Sequence, residues 1–593
     1  MNEVSGKAWD SKLFKRIIGI AKPHNKLLFY GLTITIILAI LSPIKPFIIG
    51  KLIGEYVKAG DEKSLLYGTL LVVLLLLIES FLLIIISYLS SDLGQRVVKD
   101  LRDQLFRHIT RLRLRFFDQN PIGMLVTRSV SDMETVAEIF SQGILVIIGD
   151  LLKLSGVLIF MFYINWRLAL VVLIPVPLLI ISTNIFKKAI KSSFQQVRKQ
   201  ISLLNSFVQE HITGMNIVQI FSREDIESDK FSLINKEHKK AHIRSIMAYS
   251  IFFPVVEFLS AMSIAFLVLY SIWSVSFMQV DYVTVSTQML SFILYVHMLF
   301  RPIRMLADRF NTLQMGMVGS SRVFDLLDKK EIIIQKNQIS DLNFRGDIVF
   351  KNVNFSYDSK QNVFEDLNFE VKAGETVAIV GPTGAGKSSV INLLSRFYEF
   401  QKGSITIDGV DIRDFKIELL RKQIGVVLQD VFLYNSTILD NITMGNSSIS
   451  LDRVIKSAKK VGIHSFINSL PGGYKFEVKE RGGVLSAGQR QLISFLRAFV
   501  YEPQLLVLDE ATSSIDTVSE ELIQKATSEI TKGRTSIIIA HRLSTIKKAD
   551  NILVMKNGKV IEMGSHNELI KSNGHYLDLY KKQFLKENRR TIY

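Results

Sequence analysis

Cysteine is absent from all 593 residues. That excludes disulfides, thiolate metal ligands and cysteine nucleophiles together. Charge is sparse as well: charged residues make up 21 % of the chain against 48 % hydrophobic. A soluble chain of this length rarely has a positive mean hydropathy, and this one averages +0.26. The apolar residues are therefore expected in concentrated runs rather than in one ordinary core. Acidic groups are outnumbered, 55 to 72, leaving a net charge of +17. Such an excess serves either nucleic acid or the cytoplasmic flanks of membrane helices. The long apolar runs favour the second, and no nucleic-acid partner is expected.

Crossing a bilayer takes about 20 apolar helical residues. Six stretches qualify: 27–49, 65–89, 144–163, 168–185, 251–272 and 283–300. The second-to-third and fourth-to-fifth gaps are long, poor in glycine and helical in character, so the membrane helices are expected to continue beyond the bilayer. Residues 96–115 carry seven Lys/Arg against two Asp, and 186–199 is also basic, whereas 273–281 has neither Lys nor Arg. The positive-inside rule then puts both long gaps and both termini in the cytoplasm. Residues 9–22 alternate apolar and basic positions at helical spacing. They read as an amphipathic helix on the membrane surface rather than a cleaved signal. Pro43, Pro46, Pro175, Pro177 and Pro254 are expected to kink or break helices.

After Arg301 the apolar runs stop. From about Leu342 short β-like runs appear (DIVFKNVNFSY, TVAIVG, ITIDG), followed by others at 505–509, 536–540 and 551–555 with helical stretches between. This is α/β grammar with a largely parallel sheet. The expected organisation is a surface helix over 1–24, an all-α six-helix transmembrane domain with long cytoplasmic extensions over 25–325, a linker over 326–340, and an α/β ATPase domain over 341–593.

Gly381, Pro382, Thr383, Gly384, Ala385, Gly386, Lys387 and Ser388 match GxxxxGK[ST], with Ser389 next. The string follows a strand-like run and opens a helix-like one, which is the context a phosphate-binding loop needs. Glycines let backbone N–H groups wrap the phosphates, and the helix N-terminus adds a favourable dipole. Lys387 would reach the β/γ-phosphates of ATP and Ser388 would bind Mg²⁺. The apolar run 505–509 ends in Asp509 and Glu510. Asp509 is expected in the Mg²⁺ shell and Glu510 as the base that polarises the attacking water.

Between these motifs lies Leu485-Ser486-Ala487-Gly488-Gln489-Arg490. It resembles the LSGGQ signature of the ATP-binding cassette (ABC) family, which places such a string shortly before its acidic strand. The resemblance covers the whole ATPase domain. It implies that Tyr357 stacks on adenine, that Gln429 lies near Mg²⁺ and the membrane-domain contact, that Ser514–Asp516 is the D-loop, that His541 meets the γ-phosphate, and that Lys479–Gly482 is the X-loop. The membrane half resembles exporter half-transporters of the type IV, multidrug- or lipid-exporter class: residues 116–132 look like the first intracellular loop, and 205–223 like the second, with a coupling helix near 217–223. In that family the signature of one chain covers the ATP held by another. The resemblance thus implies a dimer, homomeric or heteromeric, in a cell (inner) membrane, exporting a drug- or lipid-like amphipathic substrate. An importer of a metal chelate and an ATP-gated channel or regulator are the alternatives. Ala487 departs from the family's glycine, and its β-carbon marks either a tolerated change or a degenerate composite site.

Glu79 and Glu257 fall at membrane depth, where carboxylates are expensive and often line a pathway or pair with a neighbour; Lys45 and His297 are candidate partners.

Overall fold

A computed structural model of the chain describes residues 11–331, 339, 344–358, 360–509, 517–540 and 542–584. Two compact units emerge. The first is Met1–Thr110 with Ile122–Lys329; the second is Arg111–Pro121 with Lys330–Tyr593.

In chain order the helices up to residue 327 are α1 (Ser11–Ile20), α2 (Asn25–Lys51), α3 (Glu62–Ile109), α4 (Leu114–Gln119), α5 (Ile122–Ser129), α6 (Ser131–Glu138), α7 (Leu145–Leu173), α8 (Val176–Thr213), α9 (Met215–Ile220), α10 (Glu224–Met278) and α11 (Tyr282–Leu327). All but α4 belong to the first unit. Local chemistry sets several ends. The Asp61 carboxylate accepts from the Ser64 N–H at 3.1 Å and starts α3. Asp281 does the same for α11 through Thr284 N–H at 2.9 Å. Such caps satisfy donors that the first turn leaves orphaned. The short helical turn Val57–Ala59 ends on Gly60 at φ 65°, and α10 ends on Gln279 at φ 51°.

Among the described residues five helical segments are long and apolar enough to cross a membrane: Lys22–Tyr56, Glu62–Ile109, Ile122–Leu173, Glu224–Met278 and Tyr282–Pro302. The fourth expected run, 168–185, is not one continuous helix. Asn165 inside α7 has a non-helical backbone (φ −160°, ψ 104°). Its side-chain oxygen accepts from Arg167 and Leu168 N–H at 3.1 and 3.2 Å, capping a fresh helix. A turn at Ile174 and Pro175 then separates α7 from α8. The run is divided because proline cannot donate to the helix ladder and its ring crowds the preceding turn.

Small residues set the closest helix approaches, as expected where lipid offers no hydrophobic drive for association. A β-carbon at Gly156 of α7 would lie 2.9 Å from the Ala39 carbonyl oxygen of α2. Around this seam Val157, Met161, Leu168, Val172, Phe292 and Val296 are buried. Tyr295, fully buried, donates its hydroxyl to the Pro43 carbonyl at 2.7 Å. The expected surface helix is α1; Trp9 lies outside the described residues. Arg16 of α1 makes two hydrogen bonds to Asp328, at 2.6 and 2.7 Å, and stacks over the Phe324 ring at 4.1 Å.

The second unit has two sheets. The larger follows the order β10–β9–β3–β8–β7–β6, with β3 (Thr376–Val380), β6 (Ile424–Val427), β7 (Leu505–Asp509), β8 (Thr535–Ile539) and β9 (Asn551–Lys556) mutually parallel; β10 (Lys559–Gly564) pairs antiparallel with β9. Each central strand is apolar on both faces, as parallel sheets covered on both sides require. The smaller sheet is antiparallel, in the order β2–β1–β4–β5, from β1 (Ile348–Phe355), β2 (Phe364–Val371), β4 (Lys402–Ile407) and β5 (Val410–Asp411). Its inward residues Phe350, Phe355, Phe364, Leu367 and Ile405 share a core with Ile379, Val390 and Leu394.

Gly156→Val is expected to lower the thermal midpoint of the purified chain, at a cost of about 1–3 kcal/mol for overpacking. Gly19→Ala, whose added β-carbon meets nothing within 4 Å, should leave the midpoint in place. Differential scanning fluorimetry on both variants checks this.

Candidate nucleotide site

Parallel strands deliver their carboxyl ends to one edge of a sheet, and ligands of open α/β folds bind there. Three parallel strands of the larger sheet do so in this unit, β8 lying between the first and the second. The loop 381–386 leaves β3 and enters helix α12 (Lys387–Leu394). Asp509 is the last residue of β7, opposite Ile539 of β8. Gln429 is exposed two residues beyond β6, whose Val427 pairs with Leu508.

The loop needs its glycines for different reasons. Gly381, Gly384 and Gly386 have φ of 154°, 83° and 96°. A β-carbon at Gly381 would collide with the Met555 carbonyl, and one at Gly386 would lie 2.5 Å from the Phe364 ring. At Gly384 nothing lies within 4 Å, so there only the left-handed backbone demands glycine. Lys387 is buried and donates through Nζ to the carbonyls of Gly381 and Pro382 at 2.9 and 3.0 Å. Burial pushes its ammonium pKa down, opposed by the charge of Asp509. Ser388 Oγ donates to Asp509 Oδ2 at 3.3 Å. A hydroxyl and a carboxylate meeting beside an ammonium and a ring of backbone N–H groups fit a hard cation carried with phosphates.

Tyr357 stands just past β1. Its hydroxyl donates to Ser389 Oγ at 2.9 Å and accepts from Asn392 Nδ2 at 3.0 Å. Both partners are on the first turns of α12, so the phenol ring is fixed beside the phosphate loop. Its edge meets Phe355 and Tyr398, each with ring centroids 4.7 Å apart.

Ser486 caps helix α13 (Ala487–Val500). Its hydroxyl oxygen accepts from Gln489 N–H at 3.2 Å, and its own N–H donates to Gln489 Oε1 at 3.0 Å, a complete capping box. Ser486 and Ala487 are exposed and Gly488 is buried. Among the described residues no hydrogen bond joins this segment to the phosphate loop. Just upstream, Lys479 and Arg481 both hold positive φ, 55° and 53°. Such backbone is uncommon outside glycine and concentrates at functional turns. Glu510, Ser514, Ile515, Asp516 and His541 lie outside the described residues.

Sequence reasoning missed one feature of this unit. Helix α4, from the middle of the membrane half, packs within the ATPase unit. Phe116 is its buried anchor, Arg113 pairs with Glu399 at 3.6 Å, and the Tyr398 hydroxyl donates to Asp118. Burial and this carboxylate both push the Tyr398 phenol pKa up, which keeps it a donor. Arg396, 2 % exposed, holds the segment in place by donating to the carbonyls of Ile412 and Phe415 and to Glu399. Nothing in the string RFYEF marks these roles: only the Arg396–Glu399 pair is local, and Asp118, Ile412 and Phe415 are brought near by the fold.

The chain matches the family described as ABC transporter transmembrane region over residues 28–303 and the family described as ABC transporter over residues 364–513. It is 36 % identical to the uncharacterized ABC transporter ATP-binding protein YknV of Bacillus subtilis (strain 168), over 98 % of this chain and 96 % of that one. It is 33 % identical to the ATP-dependent lipid A-core flippase of Syntrophus aciditrophicus (strain SB), over 96 % and 94 %, and likewise to that of Legionella pneumophila (strain Paris), over 98 % of both chains. The chain therefore belongs to the ABC transporters, with a helical membrane region fused to the cassette that binds ATP. It couples ATP hydrolysis to transport.

Losing a hydrogen bond to a charged group typically removes about 1.5–3 kcal/mol. Tyr398→Phe should thus speed hydrogen exchange of the α4 amides by about tenfold or more if they exchange by local opening. Mass spectrometry of the exchanged peptide covering 114–119 reads this; unchanged exchange would show that the Asp118 contact does not hold the helix.

Proposed function

We propose that this chain is one half of a dimeric exporter that moves a lipid or another amphipathic molecule across a cell membrane, with its ATPase on the cytoplasmic side. The observation that carries this is the meeting of Lys387, Ser388 and Asp509 at the strand ends, in a chain whose other unit is built of membrane-length helices. The domains we assign are 1–24, 25–325, 326–340 and 341–593. The second half of α7 and the start of α8 act as one kinked pass, so six passes leave both termini on the basic, cytoplasmic side. The relatives named lipid A-core flippases support a lipid-like cargo.

Within the site, the loop N–H groups and Lys387 hold the phosphates, and Tyr357 carries the adenine. Ser388, Asp509 and Gln429 would hold Mg²⁺, which would neutralise phosphate charge when bound. Glu510 polarises the attacking water, His541 meets the terminal phosphate, and Asp516 contacts the neighbouring site. A second chain supplies the missing wall. Ser486 and Ala487 are exposed, which supports their covering the partner's nucleotide, helped by the partial positive charge of the α13 N-terminus. The second cytoplasmic loop supports the same reading. Its short helix is α9, beginning two residues before the expected position, and Ile212, Ile217, Ile220 and Phe221 are 66, 59, 76 and 70 % exposed. An apolar tip this open suits docking against a partner's ATPase domain.

The decisive experiment is ATP turnover by the purified chain in lipid. Turnover is expected in the wild type and to fall by about 10²–10⁴ in Glu510→Gln, the usual range for a general base. That variant should still bind ATP, whereas Lys387→Ala should bind it poorly. Rapid turnover by Glu510→Gln would remove Glu510 from the base's role. No turnover in a folded wild type that binds ATP would point to a different partner chain. Ala487→Gly should raise turnover severalfold if the β-carbon obstructs the composite site; unchanged turnover would mark a tolerated substitution.

A further inference from the structure

The exposed tip at α9 is carried by two long helices, α8 before it and α10 after it. Near the tip they are joined by His211 of α8 and Glu227 of α10, 16 residues apart in sequence. His211 Nε2 lies 2.9 Å from Glu227 Oε2, and Nδ1 lies 2.8 Å from the Phe207 carbonyl oxygen. Among the described residues this is the one side-chain hydrogen bond between the two helices within 205–230. Phe207 also stacks on the imidazole, with centroids 3.8 Å apart, and its ring meets Phe231 of α10 at 6.1 Å. The His211 and Glu227 side chains are 22 and 16 % exposed, so water covers little of the pair.

A backbone carbonyl and an ionised carboxylate can only accept. The other oxygen of Glu227 accepts from Lys230 Nζ at 2.8 Å, which suits the ionised form. Both ring nitrogens of His211 must then donate, and an imidazole does that only when protonated. A cation stacked on an aromatic face gains further. Residue 211 lies well past the apolar run that ends at 185. There the Phe207 carbonyl first, and then Glu227, push the His211 pKa up, with burial opposing them. Glu210 on the same helix adds negative charge, and α9 carries no titratable residue. Arg223, Glu224 and Asp225 at the start of α10 are exposed and are not partners of the ring. A neutral ring can keep only one of its two bonds, because the nitrogen that loses its proton turns a lone pair toward an oxygen. The contact is therefore complete below the ordinary histidine pKa of about 6.5 and is lost as pH rises through the raised value.

We propose that protonated His211 is a clasp that holds α8 against α10 and fixes the α9 tip, and that the clasp opens as pH rises. The inference rests on the reading of α9 as the element that docks on a partner's ATPase domain, and it gives that coupling a dependence on cytoplasmic pH. His211 acts through the tip and not on the nucleotide, so it is a positioning residue.

The test uses the full chain in lipid and follows hydrogen exchange of the peptide spanning 205–223, corrected for the intrinsic pH dependence of exchange. Between about pH 6 and about pH 8.5 wild-type protection should fall by about twofold to fivefold, the range of one partly exposed ion pair. H211Q cannot take up the proton and should show the lower protection at every pH. H211K keeps a cation facing Glu227 and should stay above H211Q throughout. E227Q removes a group that favours the proton and should move the midpoint to lower pH. Retained ATP binding checks the folding of each variant. Wild-type protection that is flat with pH, a pH response that survives in H211Q, or H211K no better protected than H211Q would overturn the proposal. The ratio of wild-type to H211Q turnover should change over the same pH interval, and a constant ratio would overturn the positioning role. A chain that turns over ATP with flat protection refutes this inference alone. One that shows the exchange response but never hydrolyses ATP counts against the export reading alone.

Discussion

The hydrogen bond from Tyr398 to Asp118 makes a segment of the membrane half part of the ATPase unit. Residues 111–121 belong to that unit while the chain on either side belongs to the helical one. The polypeptide therefore passes between units at three places rather than one. The excursion 111–121 is held within the ATPase unit by buried Phe116, by Arg113–Glu399 and by Tyr398–Asp118. The pin is also close to the chemistry. Tyr398 packs edge-on against Tyr357, and Tyr357 is bonded to the helix that follows the phosphate loop. Tyr357 is thus joined to α4 through one aromatic contact and one hydrogen bond, a short chain with identifiable parts.

The membrane half answers a different constraint. Charges at membrane depth are tolerated only when compensated. Lys45 pairs with Glu79, which also accepts from Ser42, and Arg309 pairs with Asp150 at 3.2 Å. These pairs give a structural account of Glu79 that needs no substrate. Glu257 differs in exposure: it lies on an exposed face beside Pro254 and lines a shallow, open cavity with Phe253 and Phe258. The two carboxylates looked alike as letters in apolar runs. Their environments differ because burial depends on which helix lies opposite, and periodicity does not encode that.

Much of the ATPase unit was legible because its chemistry is local. The phosphate loop, the apolar strand before Asp509, and the strands at 535–539 and 551–556 are consecutive strings with fixed neighbours. The antiparallel sheet was less so. β1 and β4 were visible as β-like runs, but β2 (FEDLNFEV) alternates with acidic residues, and only its pairing with β1 defines it as a strand. The break within 168–185 was legible at Pro175, where a kinked or broken helix was expected, but the cap at Asn165 was not, because composition averages over it. Tyr398 and Arg396 were illegible altogether: each acts through groups brought near by the fold, from Asp118 to Phe415.

The departure at Ala487 can now be weighed on geometry. Ala487 is the first residue of α13, with helical backbone, so no left-handed conformation requires glycine there. Its N–H and that of Gly488 are among the orphan donors of a helix start, and a methyl group removes neither. The Ser486 oxygen is engaged as an acceptor, but its hydroxyl proton remains available to donate. The donors an anion needs are thus intact. What the methyl group changes is distance, because Cα–Cβ bonds tilt toward the helix N-terminus and so toward whatever approaches it. The effect on a composite site then depends on how closely a partner's phosphate must come. For the composite site proposed above, closeness of approach rather than lost donors is what the methyl group alters.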